Sequence, residues 1–377
     1  MYYAVDLHMK FFLPFSALFI AAPCLADDLA AAVKSLQAVG REGSGNVEAT
    51  AAWQTLSKAD PKSLPEVLSG INGANPLAEN WLRAAVDAIA DKAIASGTPL
   101  PLEELKTFLN ETSNASGARV VAFDLIQQAS AKEADQITPR LLEDPSAELR
   151  RHPVSKLMEE GDALLAKNDK SGATTVFQKA IRSARDEDQI KKLAKSLKDL
   201  GSDVNLVDHF GFLTDWHLVA PFTNVDRKGF DEVFPPEKSV NLTDTYEGKT
   251  AQVKWVDLKS TDPYGMVDFN KPFGLEKQVT GFAYTEFTTN EARDAEIRLG
   301  CKNGWKVWLN GELLFARDEY HRGMKLDQYK IPASLKKGKN SILVKCCQNE
   351  QTESWTVEWQ FQLRVCDSTG TAIIVSR

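Results

Sequence analysis

The composition of the chain changes abruptly near residue 201, and that change limits what it can fold into more than any single motif. Residues 27–204 contain 29 Ala and 5 aromatics, whereas residues 205–377 contain 8 Ala and 22 aromatics, among them six of the eight Trp. Ala is the strongest helix former, and aromatic side chains suit the half-buried surface of a sheet. One chain therefore joins an α region to a β region, with the boundary at Gly201-Ser202-Asp203. The Lys-rich segment 191–198 just before it suits the negative end of a helix dipole. The expected class is multi-domain α plus β. α-Solenoid-like helical repeats over 27–204 precede an antiparallel β-sandwich over 205–377.

Residues 11–22, FFLPFSALFIAA, form a short apolar run with Lys10 before it and Cys24-Leu25-Ala26 after it. A basic start, an apolar stretch and a small residue at the cut make a signal peptide, expected to end after Ala26. The run is shorter than the roughly 20 apolar residues of a membrane-spanning helix, and Pro14 interrupts it. Met9 as well as Met1 fits the start of such a segment. Lipidation at Cys24 is the alternative, disfavoured by Pro23 beside it. No second run of membrane length follows, so the mature chain is expected to be exported to the periplasm or beyond, without a membrane span. The net charge of −7 argues against a nucleic-acid partner.

Within the α region, segments 28–39, 47–56, 77–95, 102–109, 118–129 and 134–142 carry apolar residues at three- and four-residue spacing, with Gly, Pro, Asn or Ser between them. The segment 141–151, with Pro145 flanked by Asp144 and Ser146, resembles the inter-helix turn of HEAT repeats; Asp144 or Ser146 can cap the next helix. Leu157, Gly161, Leu164, Ala173, Phe177 and Ala180, with Asn168-Asp169-Lys170 as the turn, resemble one tetratricopeptide unit, although Arg185 stands where its closing Pro is usual. Stacked helix pairs that cover one another's apolar faces satisfy either pattern.

In the β region, strands are expected over 213–220, 250–258, 279–288, 295–301, 306–309, 312–316, 341–347, 356–366 and 372–375. Asn310-Gly311 between apolar runs marks a hairpin in which both turn residues take φ > 0. The strand 295–300, the run Trp305-Lys306-Val307-Trp308-Leu309-Asn310-Gly311-Glu312 and the run 335–345 together resemble the galactose-binding-like jelly roll found beside the catalytic domains of glycoside hydrolases. Trp216 through Phe222 is similar to the opening strand that often precedes that module. The resemblance covers about 205–377 and implies a scaffold more than a ligand, because the Asn-Gly and Gly-Lys-Asn turns are hairpin chemistry.

No HExxH, GxSxG, P-loop or GxGxxG-helix pattern is present, and no catalytic residue is expected. A (β/α)8 barrel of about 250 residues does not fit beside these two regions. The most site-like stretch is 315–329, where Arg317, Tyr320, His321, Arg322 and Asp327 offer planar donors, acceptors and an aromatic face for a sugar. Trp355 and Trp359 share a strand parity and are expected on one face, as core or as a sugar platform. Trp305 and Trp308 are expected on opposite faces. Asn224, Asp226 and Asp231 loosely resemble a calcium loop, so a structural calcium is the one cofactor considered. Cys301, Cys346, Cys347 and Cys366 allow three disulfide pairings or free thiols. The expected function is non-catalytic binding or scaffolding at the cell envelope, with glycan or an envelope protein as partner. The alternatives are an enzyme or accessory subunit of polysaccharide degradation, and a purely structural assembly protein.

Overall fold

The computed structural model describes residues 24–373. Residues 1–23 of the expected signal peptide 1–26 and the end of the expected last strand lie outside the described residues. Packing divides the chain into two compact units, one ending at Gln136 and one beginning at Ile137.

The first unit is helical: α1 (Cys24–Gln37), α2 (Asn46–Leu56), α3 (Leu64–Ser69), α4 (Pro76–Ala95), α5 (Leu102–Asn110), α6 (Ser116–Ala129) and α7 (Ala131–Ile137). The residues flanking the expected cut after Ala26 fall within α1. Local chemistry sets the starts. Asn75 accepts hydrogen bonds from the Leu77 and Ala78 amides, and Pro76 occupies the first position of α4. Small residues let the helices approach: Ala49, Ala78, Ala85, Ala118 and Ala122 are fully buried beside Leu36, Leu56, Leu82 and Ile126. Among the described residues, no helix is long and apolar enough to cross a membrane.

The second unit opens with a 3-10 turn over Thr138–Glu143, followed by α8 (Ala147–Ala166), α9 (Lys170–Ser183), α10 (Glu187–Asp199) and α11 (Leu206–Phe210). Ser146, rather than Asp144, caps α8, accepting from the Leu149 amide at 3.4 Å. α8 and α9 pack with Gly161 under the Phe177 ring, so close that a Cβ there would come within 2.2 Å of it. The strands are β1 (Asp215–Thr223), β2 (Thr245–Glu247), β3 (Gln252–Lys254), β4 (Val256–Lys259), β5 (Met266–Asp268), β6 (Val279–Thr289), β7 (Arg293–Cys301), β8 (Gly304–Leu309), β9 (Glu312–Arg317), β10 (Tyr329–Leu335), β11 (Gly338–Gln348) and β12 (Gln360–Cys366). They form a six-stranded sheet, β4-β1-β6-β11-β8-β9, a four-stranded sheet, β10-β7-β12-β5, and a ribbon of β2 and β3; all the pairings are antiparallel. The class is thus α plus β. Leu218, Ala283, Val307 and Val344 from one sheet meet Ile297, Leu299, Phe361 and Leu363 from the other in one core.

Two aromatic expectations separate here. Trp305 lies in that core, while Trp308 belongs to a second cluster on the opposite face of the same sheet, with Phe222, Phe282 and Leu343. Trp355 and Trp359 do not share a strand face. Trp355 sits in a 3-10 turn over Ser354–Thr356, and β12 starts only at Gln360, after Trp359. The turn breaks the two-residue periodicity on which the parity argument relied.

The compositional step at 201–204 and the packing boundary after Gln136 fall at different places. α8, α9 and α10 belong with the sheets because a shared cluster joins Val154, Phe177, Ile190 and Leu193 to Phe210 and Phe212, with Tyr264 and Leu326 packed against it.

Candidate functional site

At one end of the paired sheets, three loops meet: the 3-10 segment after β1, residues 318–328 between β9 and β10, and the β11–β12 connection. Trp355 presents an aromatic face here, with 57% of its surface exposed. Its ring stands edge-on to His321, with centroids 5.5 Å apart and planes at 90°. The His321 Nε2 lies 2.7 Å from Asn349 Oδ1, an amide oxygen that can only accept, so Nε2 is the donor. The His321 Nδ1 is buried without a hydrogen-bond partner among the described residues. His321 holds φ at 56°, an uncommon conformation outside glycine, and its own amide donates to Lys302 O.

The platform is braced from beneath. Thr356 Oγ1 donates to Gln351 O and Glu353 O at 2.9 and 2.7 Å, closing the turn that carries Trp355. Gln348 Nε2 and Lys277 Nζ donate to Thr356 O at 2.9 and 2.8 Å. Asn303 Nδ2 donates to Gln348 Oε1 and Glu358 O, both at 3.2 Å. Asn303, Gln348, Asn349 and Thr356 are all buried. Sequence reading missed these four. The polar pair Gln348-Asn349 ending an apolar strand was the available signal, but its partners are distant in sequence.

Beside the platform, Arg227 reaches Glu350 through Nε at 3.1 Å and through a second nitrogen at 2.5 Å. Its guanidinium lies 5.3 Å from the Tyr320 ring centre. Tyr320 is an anchor more than a contact residue. Its hydroxyl accepts from Asn224 Nδ2 at 3.2 Å, and burial holds its ionisation well above the usual tyrosine range. Asp318 carries a raised carboxyl pKa, first because the neighbouring chain shields it partly from water and then because Asp231 is near.

The other expected site residues divide. Arg317 and Arg322 share Glu319, at 2.6 and 3.3 Å. Asp327 does not open into a cleft with them. It accepts from Arg364 at 2.7 and 2.6 Å and from Arg298 at 2.7 Å, between two arginines that are 1% and 5% exposed. Burial pushes its carboxyl pKa up, but the hydrogen bonds and charges of both arginines outweigh it, and the net shift is down. Trp359 is fully buried, its Nε1 donating to Cys346 O and its ring stacked on Phe269 at 4.7 Å. It is no sugar platform.

The expected calcium residues play separate parts. Asn224 is fully buried and donates to Gln348 O at 2.9 Å; its Oδ1 has no hydrogen-bond partner among the described residues. Asp226 is exposed and lies 3.2 Å from Lys228. Asp231 is exposed on the far side of the 3-10 segment. Among the described residues, no three His, Cys, Asp or Glu side chains gather to hold a metal ion. The four cysteines are buried free thiols; Cys301 and Cys346 Sγ stand 3.9 Å apart, while Cys347 turns to Thr280.

A cavity of about 880 Å³ lies elsewhere, between β9 and β10, with Asp294, Glu296, Glu312 and Asp367 among its lining. Three of these carboxylates have structural partners: Asp294 accepts from Ser334 at 3.3 Å, Glu296 pairs with Arg298 at 2.8 Å, and Asp367 accepts from Thr369 and Thr371 in the last turn.

No family model and no curated protein matches the chain. Several solved structures are weakly similar. A β-glucosidase from Kluyveromyces marxianus with bound glucose is 14% identical over 45% of this chain and 20% of its own, at a TM-score of 0.22. A selenomethionine form of β-glucosidase from the same organism is 12% identical over 67% and 36%, at 0.25. A GH31 α-xylosidase from Xanthomonas citri is 7% identical over 41% and 16%, at 0.20. The chain spans between 16% and 36% of the length of these three, and scores of this size carry no argument.

Proposed function

We propose that this is a non-catalytic exported binding or scaffolding protein. In this reading the two sheets form a galactose-binding-like jelly roll that takes glycan at the Trp355 edge, and the N-terminal helices form a solenoid-like support. The observation that carries it is Trp355: an indole more than half exposed, on a turn locked by buried amides. An aromatic face in that position stacks on the C–H side of a sugar ring, and side chains fixed beneath it lose little entropy when the sugar binds. Arg227, Glu350 and Arg322 stand exposed on the same loops and offer donors and acceptors for ring hydroxyls. Three of the four carboxylates named in the other groove are tied into the fold, Asp294 to Ser334, Glu296 to Arg298 and Asp367 to its turn.

A glycan array probed with the purified chain, with calcium and with chelator, tests the reading. Trp355→Ala is expected to abolish binding of any glycan retained by the wild type. The same substitution changes stability by less than about 0.5 kcal/mol, as for other exposed positions. A variant that binds as the wild type does, or a wild type that retains no glycan, sinks this reading.

A further inference from the structure

The six-stranded sheet ends on β9, which among the described residues pairs only with β8. An open edge invites another strand, and proteins usually blunt theirs with charges, proline or shortness. The other edges follow that rule. β10 carries Lys330 and Pro332, β4 carries Asp257 and Lys259, and β5 has three residues. β9 reads Glu-Leu-Leu-Phe-Ala-Arg, with four uncharged residues in its middle. Leu313 is 53% exposed and Phe315 37%.

The register with β8 gives this strand an unusual symmetry. Leu309 pairs with Glu312, Trp308 with Leu313, Val307 with Phe315, Lys306 with Ala316 and Trp305 with Arg317, and Leu314 is the extra residue of a bulge. Leu309, Val307 and Trp305 face the core between the sheets, whereas Trp308 faces the other side. Cross-strand partners share a face. Glu312, Phe315 and Arg317 therefore lie on the inner face and Leu313 and Ala316 on the outer. In a regular strand Glu312 and Arg317, five apart, would face opposite sides. The bulge brings them to the same side, so the pattern reads identically in both directions.

We propose that β9 pairs antiparallel with β9 of a second copy of this chain, about a twofold axis at the bulge. Glu312 of each copy then stands opposite Arg317 of the other, Leu313 opposite Ala316, and the Leu314-Phe315 pair meets its own image. Such a self-complementary patch is what a twofold interface requires. The area of one strand edge is small, so the association is concentration-dependent.

Sedimentation velocity of the full chain over a dilution series is the test. The wild type is expected to shift from monomer to dimer as concentration rises. Glu312→Arg alone and Arg317→Glu alone each turn two ion pairs into like-charge contacts, and should weaken dimerisation by about tenfold or more. The double exchange restores opposite charges across the axis and should restore the wild-type midpoint. Both positions are exposed, and a melting temperature equal to the wild type's confirms that the variants are folded. A wild type that stays monomeric overturns the proposal. So does a dimer indifferent to both single exchanges, or a folded double variant as dissociated as the singles.

Discussion

Asp327 illustrates how a residue's type conceals its role. Asp in a loop dense with Arg, Tyr and His suits a binding site, yet this carboxylate is spent on Arg298 and Arg364, both almost wholly buried. Asp327→Asn would leave the buried Arg364 guanidinium without its counter-charge and Arg298 with Glu296 alone, and is expected to lower stability by about 3–5 kcal/mol, measured by urea denaturation near neutral pH. The acid branch follows from the same geometry. The folded carboxyl titrates below its unfolded value of about 3.9, so its contribution is complete above that pH and is lost as pH falls through the lower, folded value. Wild-type midpoints should therefore drop steeply below about pH 4, and the Asn variant should lose part of that drop. An Asn variant as stable as the wild type at neutral pH would mean that the arginines find other partners.

At the scale of elements, short-range chemistry was legible and long-range pairing was not. Asn310 and Gly311 have φ of 52° and 87°, as the dipeptide required. A Cβ on Gly311 would meet nothing within 4 Å, so Gly311→Val tests backbone strain by itself. A loss of about 1–2 kcal/mol is expected from the left-handed conformation, read as a lower thermal or urea midpoint. An unchanged midpoint would show that the hairpin accommodates a branched residue. α2, α4, α5 and α6 begin and end within two residues of their sequence-based limits, because caps and Pro act locally, whereas α3 had no expected counterpart and the expected helix 134–142 divides into α7 and a 3-10 turn. Trp355 and Trp359 escaped the same logic. The turn that separates them is held by Gln348, Lys277 and Asn303, whose contribution depends on chain segments far apart.

For the whole molecule, the compositional step suggested a fragment 205–377 able to fold alone, whereas the packing suggests a different cut. Phe210 and Phe212 share a core with Phe177, Ile190 and Leu193 of α9 and α10. A chain beginning at 137 is expected to unfold in one cooperative transition with native near-UV circular dichroism. The 205–377 fragment should melt lower, because removal of α8, α9 and α10 exposes those rings to water. Equal melting temperatures for the two fragments would show that the helices add nothing to the sheets.

Composition and local pattern determined that this chain has an Ala-rich helical part and an aromatic-rich sheet part, and where the Asn-Gly hairpin lies, because propensity, capping and turn sterics act over a few residues. The same local rules singled out the stretch 315–329, of which 318–328 form the loop, but could not assign its members. Tertiary structure decided that Asp327 and Tyr320 turn inward, that Trp359 is core, and that Trp355 stands exposed beside His321. It also decided that α8, α9 and α10 belong with the sheets. Those outcomes depend on which buried charge finds a counter-charge and which apolar face finds a cover, and both partners are set by the fold as a whole.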